Sequence, residues 1–88
     1  MVGWQLAYTK QAQKDAVRLS RAGMRSKAEV ILEILKKDPF QTYPPFEKLA
    51  GDLKGAYSRS INIQHRIIYQ VIKRYKTIKV IRMWTHYE

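Results

Sequence analysis

No cysteine occurs among the 88 residues, so disulfides, thiol chemistry and a cysteine-ligated zinc site are all closed to this chain. That absence suits a reducing compartment, and a cytoplasmic location is expected. Met1-Val2-Gly3-Trp4-Gln5-Leu6 lacks the charged and apolar regions of a secretory signal. Apolar residues nowhere run to the roughly 18 that cross a bilayer. Histidine is scarce as well: His65 and His86 stand far apart, without clustered carboxylates or a His-x-x-x-His spacing. A metal enzyme is therefore not expected, and no cofactor is called for. Neither a Gly-rich phosphate loop nor a Gly-x-Ser-x-Gly elbow is present.

Acidic residues are the other scarcity. Seven Asp and Glu against 17 Lys and Arg leave a formal charge of +10, which points to a polyanionic partner. The imbalance is uneven: Lys48, Lys54, Arg59, Arg66, Lys73, Arg74, Lys76, Lys79 and Arg82 face a single acid, Asp52, between Lys48 and Tyr87. That half reads as the phosphate-facing surface. With 45% of residues hydrophobic the chain reads as folded, and its length supports one core, so residues 1–88 form a single domain.

Trp4 to Tyr8 reads as a short strand and Thr9 as a helix N-cap. Ala12, Ala16 and Leu19 then recur at helical spacing from Lys10 to about Ala22, where Gly23 breaks the pattern. A second helix from about Arg25 to Lys37 carries the stripe Ala28, Ile31, Leu32 and Leu35, and Asp38-Pro39 stops it. Phe40 to Glu47, with Pro44-Pro45, reads as a loop. Three strands follow, Ala56 to Ile63, Arg66 to Lys73 and Thr77 to Thr85, turning at Gln64-His65 and Arg74-Tyr75-Lys76. The predicted order is β-α-α-β-β-β. The class is α+β, a small antiparallel sheet with two N-terminal helices packed on one face and the other face left for a ligand.

An antiparallel pairing centred on Tyr75 sets Arg66 opposite Trp84, with His86 diagonally beyond it and on the same face as Arg66 and Arg82. Cleaving RNA without a metal uses the neighbouring 2′-hydroxyl as nucleophile. It needs a base for that proton, a cation for the phosphorane and an acid for the leaving 5′-oxygen. Glu47, Arg66 and His86 match the three needs by residue type. Each also has a plainer reading, as a solvated loop carboxylate, a sheet-edge charge and a frayed terminal residue. His65 reads as a turn or packing histidine, and Tyr57, Tyr69 and Trp84 read as packing residues ahead of base-stacking platforms.

The runs Pro45-Phe46-Glu47-Lys48-Leu49, Asp52-Leu53-Lys54-Gly55-Ala56-Tyr57-Ser58-Arg59, Ile61-Asn62-Ile63-Gln64-His65-Arg66-Ile67-Ile68-Tyr69 and His86-Tyr87 together resemble the YoeB/Txe toxins of the RelE superfamily. The resemblance implies a RelE-like fold and a type II toxin that enters the ribosomal A site and cuts the messenger, leaving a 2′,3′-cyclic phosphate. It implies Glu47 as general base, Arg66 as phosphate-stabilising residue, His86 as general acid and Tyr87 as the residue orienting the substrate. Lys48, Lys54, Arg59 and Arg82 are the expected RNA contacts. Implied partners are a Phd/YefM-type antitoxin with an acidic segment, the ribosome and its mRNA, and operator DNA through the antitoxin complex. The oligomeric state, a homodimer included, is left open. Ser60, Gln64 and Ala50 depart from the family's frequent arginine, glutamate and lysine, and Glu88 follows the usual His-Tyr end. Two other readings compete: a noncatalytic inhibitor of gyrase like the ParE branch, and a plain basic nucleic-acid-binding module.

Overall fold

A computed structural model describes residues 3–42, 45–51 and 55–84. Strand β1 (Gln5–Tyr8) leads into helix α1 (Lys10–Arg21), as expected, through Thr9, whose Oγ1 accepts a hydrogen bond from the Ala12 N–H at 3.0 Å. The same hydroxyl donates to the Ile81 carbonyl at 2.9 Å, so one residue caps the helix and ties it to the last strand. Gly23, at φ 76°, takes the left-handed conformation that ends α1 and admits α2 (Arg25–Lys37). No helix among the described residues is long and apolar enough to cross a membrane.

Among the described residues, four further strands join the sheet: β2 (Glu47–Lys48), β3 (Tyr57–Ser60), β4 (Arg66–Ile72) and β5 (Thr77–Arg82). The spatial order is β1-β5-β4-β3-β2. All neighbours run antiparallel except β1, which pairs parallel with β5, so the α+β sheet is mixed rather than wholly antiparallel. The α1–α2 hairpin lies between β1 and the rest of the sheet in sequence, and it returns the chain so that β1 can add beside β5. Glu47, expected in a loop, instead forms an edge strand with β3.

One face of the sheet meets the helices. Ala12, Leu19, Ala28, Ile31 and Leu35 from the helices pack with Ile67, Tyr69, Ile78 and Val80 from the strands. Each fully buried Leu or Ile contributes roughly 1.5–3 kcal/mol. Both helical stripes read from the sequence thus cover the sheet.

Two turns differ from expectation for local reasons. β3 stops at Ser60 because the Asn62 Oδ1 accepts from the Gln64 and His65 N–H groups at 2.9 and 2.8 Å, an Asx turn that competes with the strand ladder. Between β4 and β5, Lys73–Tyr75 forms a 3₁₀ turn closed by Lys76 in the left-handed region, which makes the connection longer than Arg74-Tyr75-Lys76. Ile72 therefore pairs with Thr77 and Tyr69 with Val80, one residue away from the Tyr75-centred register. A bulge at Ile68/Tyr69 then returns the ladder to it, pairing Ile68 with Arg82.

Candidate functional site

Residues paired across an antiparallel ladder share a face, and alternate residues along a strand change faces. Tyr57 and Arg59 pair with Tyr69 and Ile67 and so lie on the helix side. Ser58 and Ser60 pair with Ile68 and Arg66 on the open side, where Glu47 joins them through its pairing with Ser58. The open face therefore carries Glu47, Ser58 and Arg66 on three adjacent strands.

There the side chains meet. The Arg66 Nη1 donates to the Glu47 Oε1 at 3.1 Å and to the Ser58 Oγ at 3.2 Å. Arg66 is mostly covered, with 24% of its side chain exposed, whereas Glu47 is 62% exposed. The result is an anchored guanidinium beside a reachable carboxylate. Two of the residues expected to act chemically are thus neighbours. His86 and Tyr87, the other two, lie outside the described residues, as does Lys54.

The remaining expected RNA contacts occupy other positions. Arg59 is fully buried: its Nε donates to the Tyr69 hydroxyl at 3.0 Å, and its Nη2 donates to the Pro39 and Gln41 carbonyls at 3.1 and 2.6 Å. Its guanidinium also sits over the Phe46 ring, 4.9 Å from the centroid. Arg59 therefore fastens the segment leading to Glu47 onto the sheet from inside. Lys48, beside Glu47, pairs with Tyr57 and so belongs to the opposite face. Arg82 is held by Asp15 on α1, with Nε donating at 2.9 Å, and by the Trp84 carbonyl at 3.2 Å.

Asp15 was absent from the sequence reading. Its carboxylate is fully buried and also accepts from the Met83 N–H at 2.9 Å and the Gln11 side chain at 3.0 Å. Burial alone would raise its pKa, but hydrogen bonds from Arg82, Met83, Gln11 and the Trp84 backbone outweigh that effect and hold it below the usual carboxylate value. The signal in the sequence was its position: Asp15 falls between Ala12 and Leu19 on the apolar stripe of α1. Ser58 was not legible in the same way, because its place on the open face follows from the burial of Tyr57 and Arg59 on the other, which only the sheet pairing shows.

His65 is a packing residue, 3% exposed, with its ring 4.0 Å from that of Trp84. Arg18 lies over the same Trp84 ring at 4.6 Å. Tyr57 and Tyr69 stack at 5.8 Å on the helix side, and burial pushes the Tyr69 hydroxyl pKa up despite the nearby Arg59. These aromatics build the scaffold behind the open face. Among the described residues no group of His, Asp and Glu could hold a metal ion.

The sequence model for the YoeB-like toxin of bacterial type II toxin-antitoxin systems matches residues 8–87. Among solved structures, a YoeB/ParE toxin from Agrobacterium tumefaciens is 30% identical, with a TM-score of 0.84 over 94% of this chain and 99% of that one. The YoeB-YefM complex from Staphylococcus aureus gives 28% identity and a TM-score of 0.80 over 96% of this chain and 98% of that one. A YoeB dimer from Staphylococcus aureus gives the same identity, TM-score and coverage. No curated protein sequence matches the chain.

Proposed function

The chain belongs to the family of YoeB-like toxins of bacterial type II toxin-antitoxin systems, and on that premise we propose that it is an endoribonuclease that cuts messenger RNA in the ribosomal A site without a metal. The observation that carries this reading is the Glu47–Arg66 contact on the open face, 3.1 Å across with Ser58 beneath it. The 2′-hydroxyl and the scissile phosphate are adjacent groups of one nucleotide, so the base and the cation that serve them must also be adjacent.

In the proposed step the Glu47 carboxylate takes the 2′-hydroxyl proton as the 2′-oxygen attacks phosphorus. Arg66 balances the charge that develops on the phosphoryl oxygens. The bond to the 5′-oxygen breaks, and His86 supplies the proton that oxygen needs to leave. The upstream fragment keeps a 2′,3′-cyclic phosphate and the downstream fragment a 5′-hydroxyl. Tyr87 orients the nucleotide. Translation stops because the message in the decoding site is cut.

The Staphylococcus aureus relative forms a complex with YefM. We extend that to a YefM-type antitoxin for this chain, whose acidic segment would match the charge of +10, with operator DNA contacted through the complex. Self-association is part of the same proposal, by analogy with the dimer of that relative.

Mapping the 5′ and 3′ ends of messages after brief expression tests position and chemistry together. The expected result is cleavage within A-site codons with cyclic phosphate ends, reduced at least about 100-fold in the Glu47→Ala and His86→Ala variants. Full activity in both variants, or gyrase inhibition without any cut message, overturns the reading.

A further inference from the structure

Among the described residues the β4–β5 ladder ends where Ile68 meets Arg82, and the next two residues run on beyond the strand. Side chains fix them instead. One carboxylate oxygen of Asp15, on α1, accepts from the Arg82 Nε and from the Met83 N–H, each at 2.9 Å. The Arg82 Nη2 turns back to the Trp84 carbonyl at 3.2 Å, so residues 82, 83 and 84 are all tied to one buried acid.

The Trp84 ring is held as well, by groups from two parts of the fold. Arg18, one helical turn after Asp15, sets its guanidinium 4.6 Å from the ring centroid. The His65 ring lies 4.0 Å from it between centroids, 31° off parallel. His65 is anchored in its turn: its N–H donates to the Asn62 Oδ1 at 2.8 Å, and its carbonyl accepts from the Ile61 N–H at 2.8 Å. His65 directly precedes Arg66 at the start of β4. Trp84 therefore joins α1 to the turn from which Arg66 emerges, and only Thr85 separates it from His86.

We propose that Asp15, Arg18, His65 and Trp84 are positioning residues, a clamp that holds the end of the chain so that His86 delivers its proton beside Arg66. The proposal rests on the acid role given to His86 above. A chain end left to itself frays, and a displacement of about 1 Å in a catalytic group can cost about 100-fold in rate. Two residues of chain reach about 7 Å at most, so a Trp84 fixed against residue 65 confines His86 to the neighbourhood of residue 66. Burial of Met83, 2% exposed, already anchors this end to the core. The buried acid and the two stacked groups add a direction to that anchor. Arg18 is exposed, so its place over Trp84 contributes little to the core and acts on the position of the ring.

The test compares two messages on stalled ribosomes, one ordinary and one with sulfur replacing the 5′-oxygen of the linkage that end mapping shows to be cut. In the second, the 2′-oxygen attacks phosphorus, its proton goes to Glu47, and the P–S bond breaks with its electron pair leaving on sulfur. A thiolate is a far weaker base than an alkoxide, so this step needs no acid. Single-turnover rates are measured at saturating toxin, on protein shown to be folded by circular dichroism. Asp15→Asn and Trp84→Leu should cut the ordinary message at least about tenfold more slowly, yet cut the sulfur message within about threefold of the wild type. His86→Ala should show the same selective rescue, and Glu47→Ala should lose activity on both messages. Arg18→Met, changed at an exposed position, should act in the same direction by about threefold and decides the matter if the other two clamp variants fail to fold. Equal losses on both messages, or full activity of the clamp variants on the ordinary one, overturn the clamp while leaving the nuclease reading intact. A wild type that cuts neither message, or a His86→Ala variant without rescue, overturns the reading beneath it and the clamp together.

Discussion

Glu47 on the edge strand β2 reaches over β3 to meet Arg66 on β4, and the Ser58 hydroxyl between them accepts from the same guanidinium nitrogen. The contact depends on β2 pairing with β3 in a register that sets Glu47 opposite Ser58. A shift of one residue would turn Glu47 to the helix side and offer Lys48 in its place.

That geometry separates the chemistry of Glu47 from its structural part. Glu47→Gln keeps an oxygen that can accept from Arg66 but loses the basic carboxylate. Because the pair is largely solvent-exposed at Glu47, stability should change by less than about 1 kcal/mol while cleavage falls at least about 100-fold. Chemical denaturation alongside single-turnover cleavage on stalled ribosomes checks both. Unfolding at markedly lower denaturant would show instead that the residue is structural.

Arg59 is expected to behave in the reverse way. Arg59→Lys keeps a charge but cannot reach Tyr69, Pro39 and Gln41 at once, so buried acceptors lose their partner. A loss of about 2–3 kcal/mol in urea denaturation is expected. RNA binding at saturating folded protein should change little, and a large binding defect without loss of stability would return Arg59 to the RNA contacts.

Asp15 should make the protein acid-sensitive. Its folded-state pKa lies below the unfolded value, so the stabilisation is present above the unfolded value and fades as pH falls through the folded one. Thermal melts should therefore lose stability in that acid window, and Asp15→Asn should flatten this dependence. Asp15→Ala leaves the buried Met83 N–H without its acceptor and should cost about 1–3 kcal/mol at neutral pH. An unchanged pH profile in Asp15→Asn would remove the carboxylate from this role.

The apolar periods of α1 and α2, the Thr9 cap, the Gly23 break and the β-rich second half were all legible in the sequence, because each rests on residues within a turn or two of one another. The residue types Glu47 and Arg66 were legible as a pair of chemical functions. Their meeting was not, since it joins strands through pairings between segments distant in sequence.

Local pattern alone thus determined which residues are apolar stripe, cap and turn, and which side chains have the right chemistry. Tertiary structure decided what each charge does. It buried Arg59, bound Arg82 to Asp15, turned Lys48 from Glu47, and set Lys73 and Lys76 over the rings of Phe40 and Trp4. A cation's composition is the same everywhere in a sequence, but its role depends on which face and which neighbours the register gives it. That register was set by a four-residue turn and a bulge whose effect extends along the whole β4–β5 ladder.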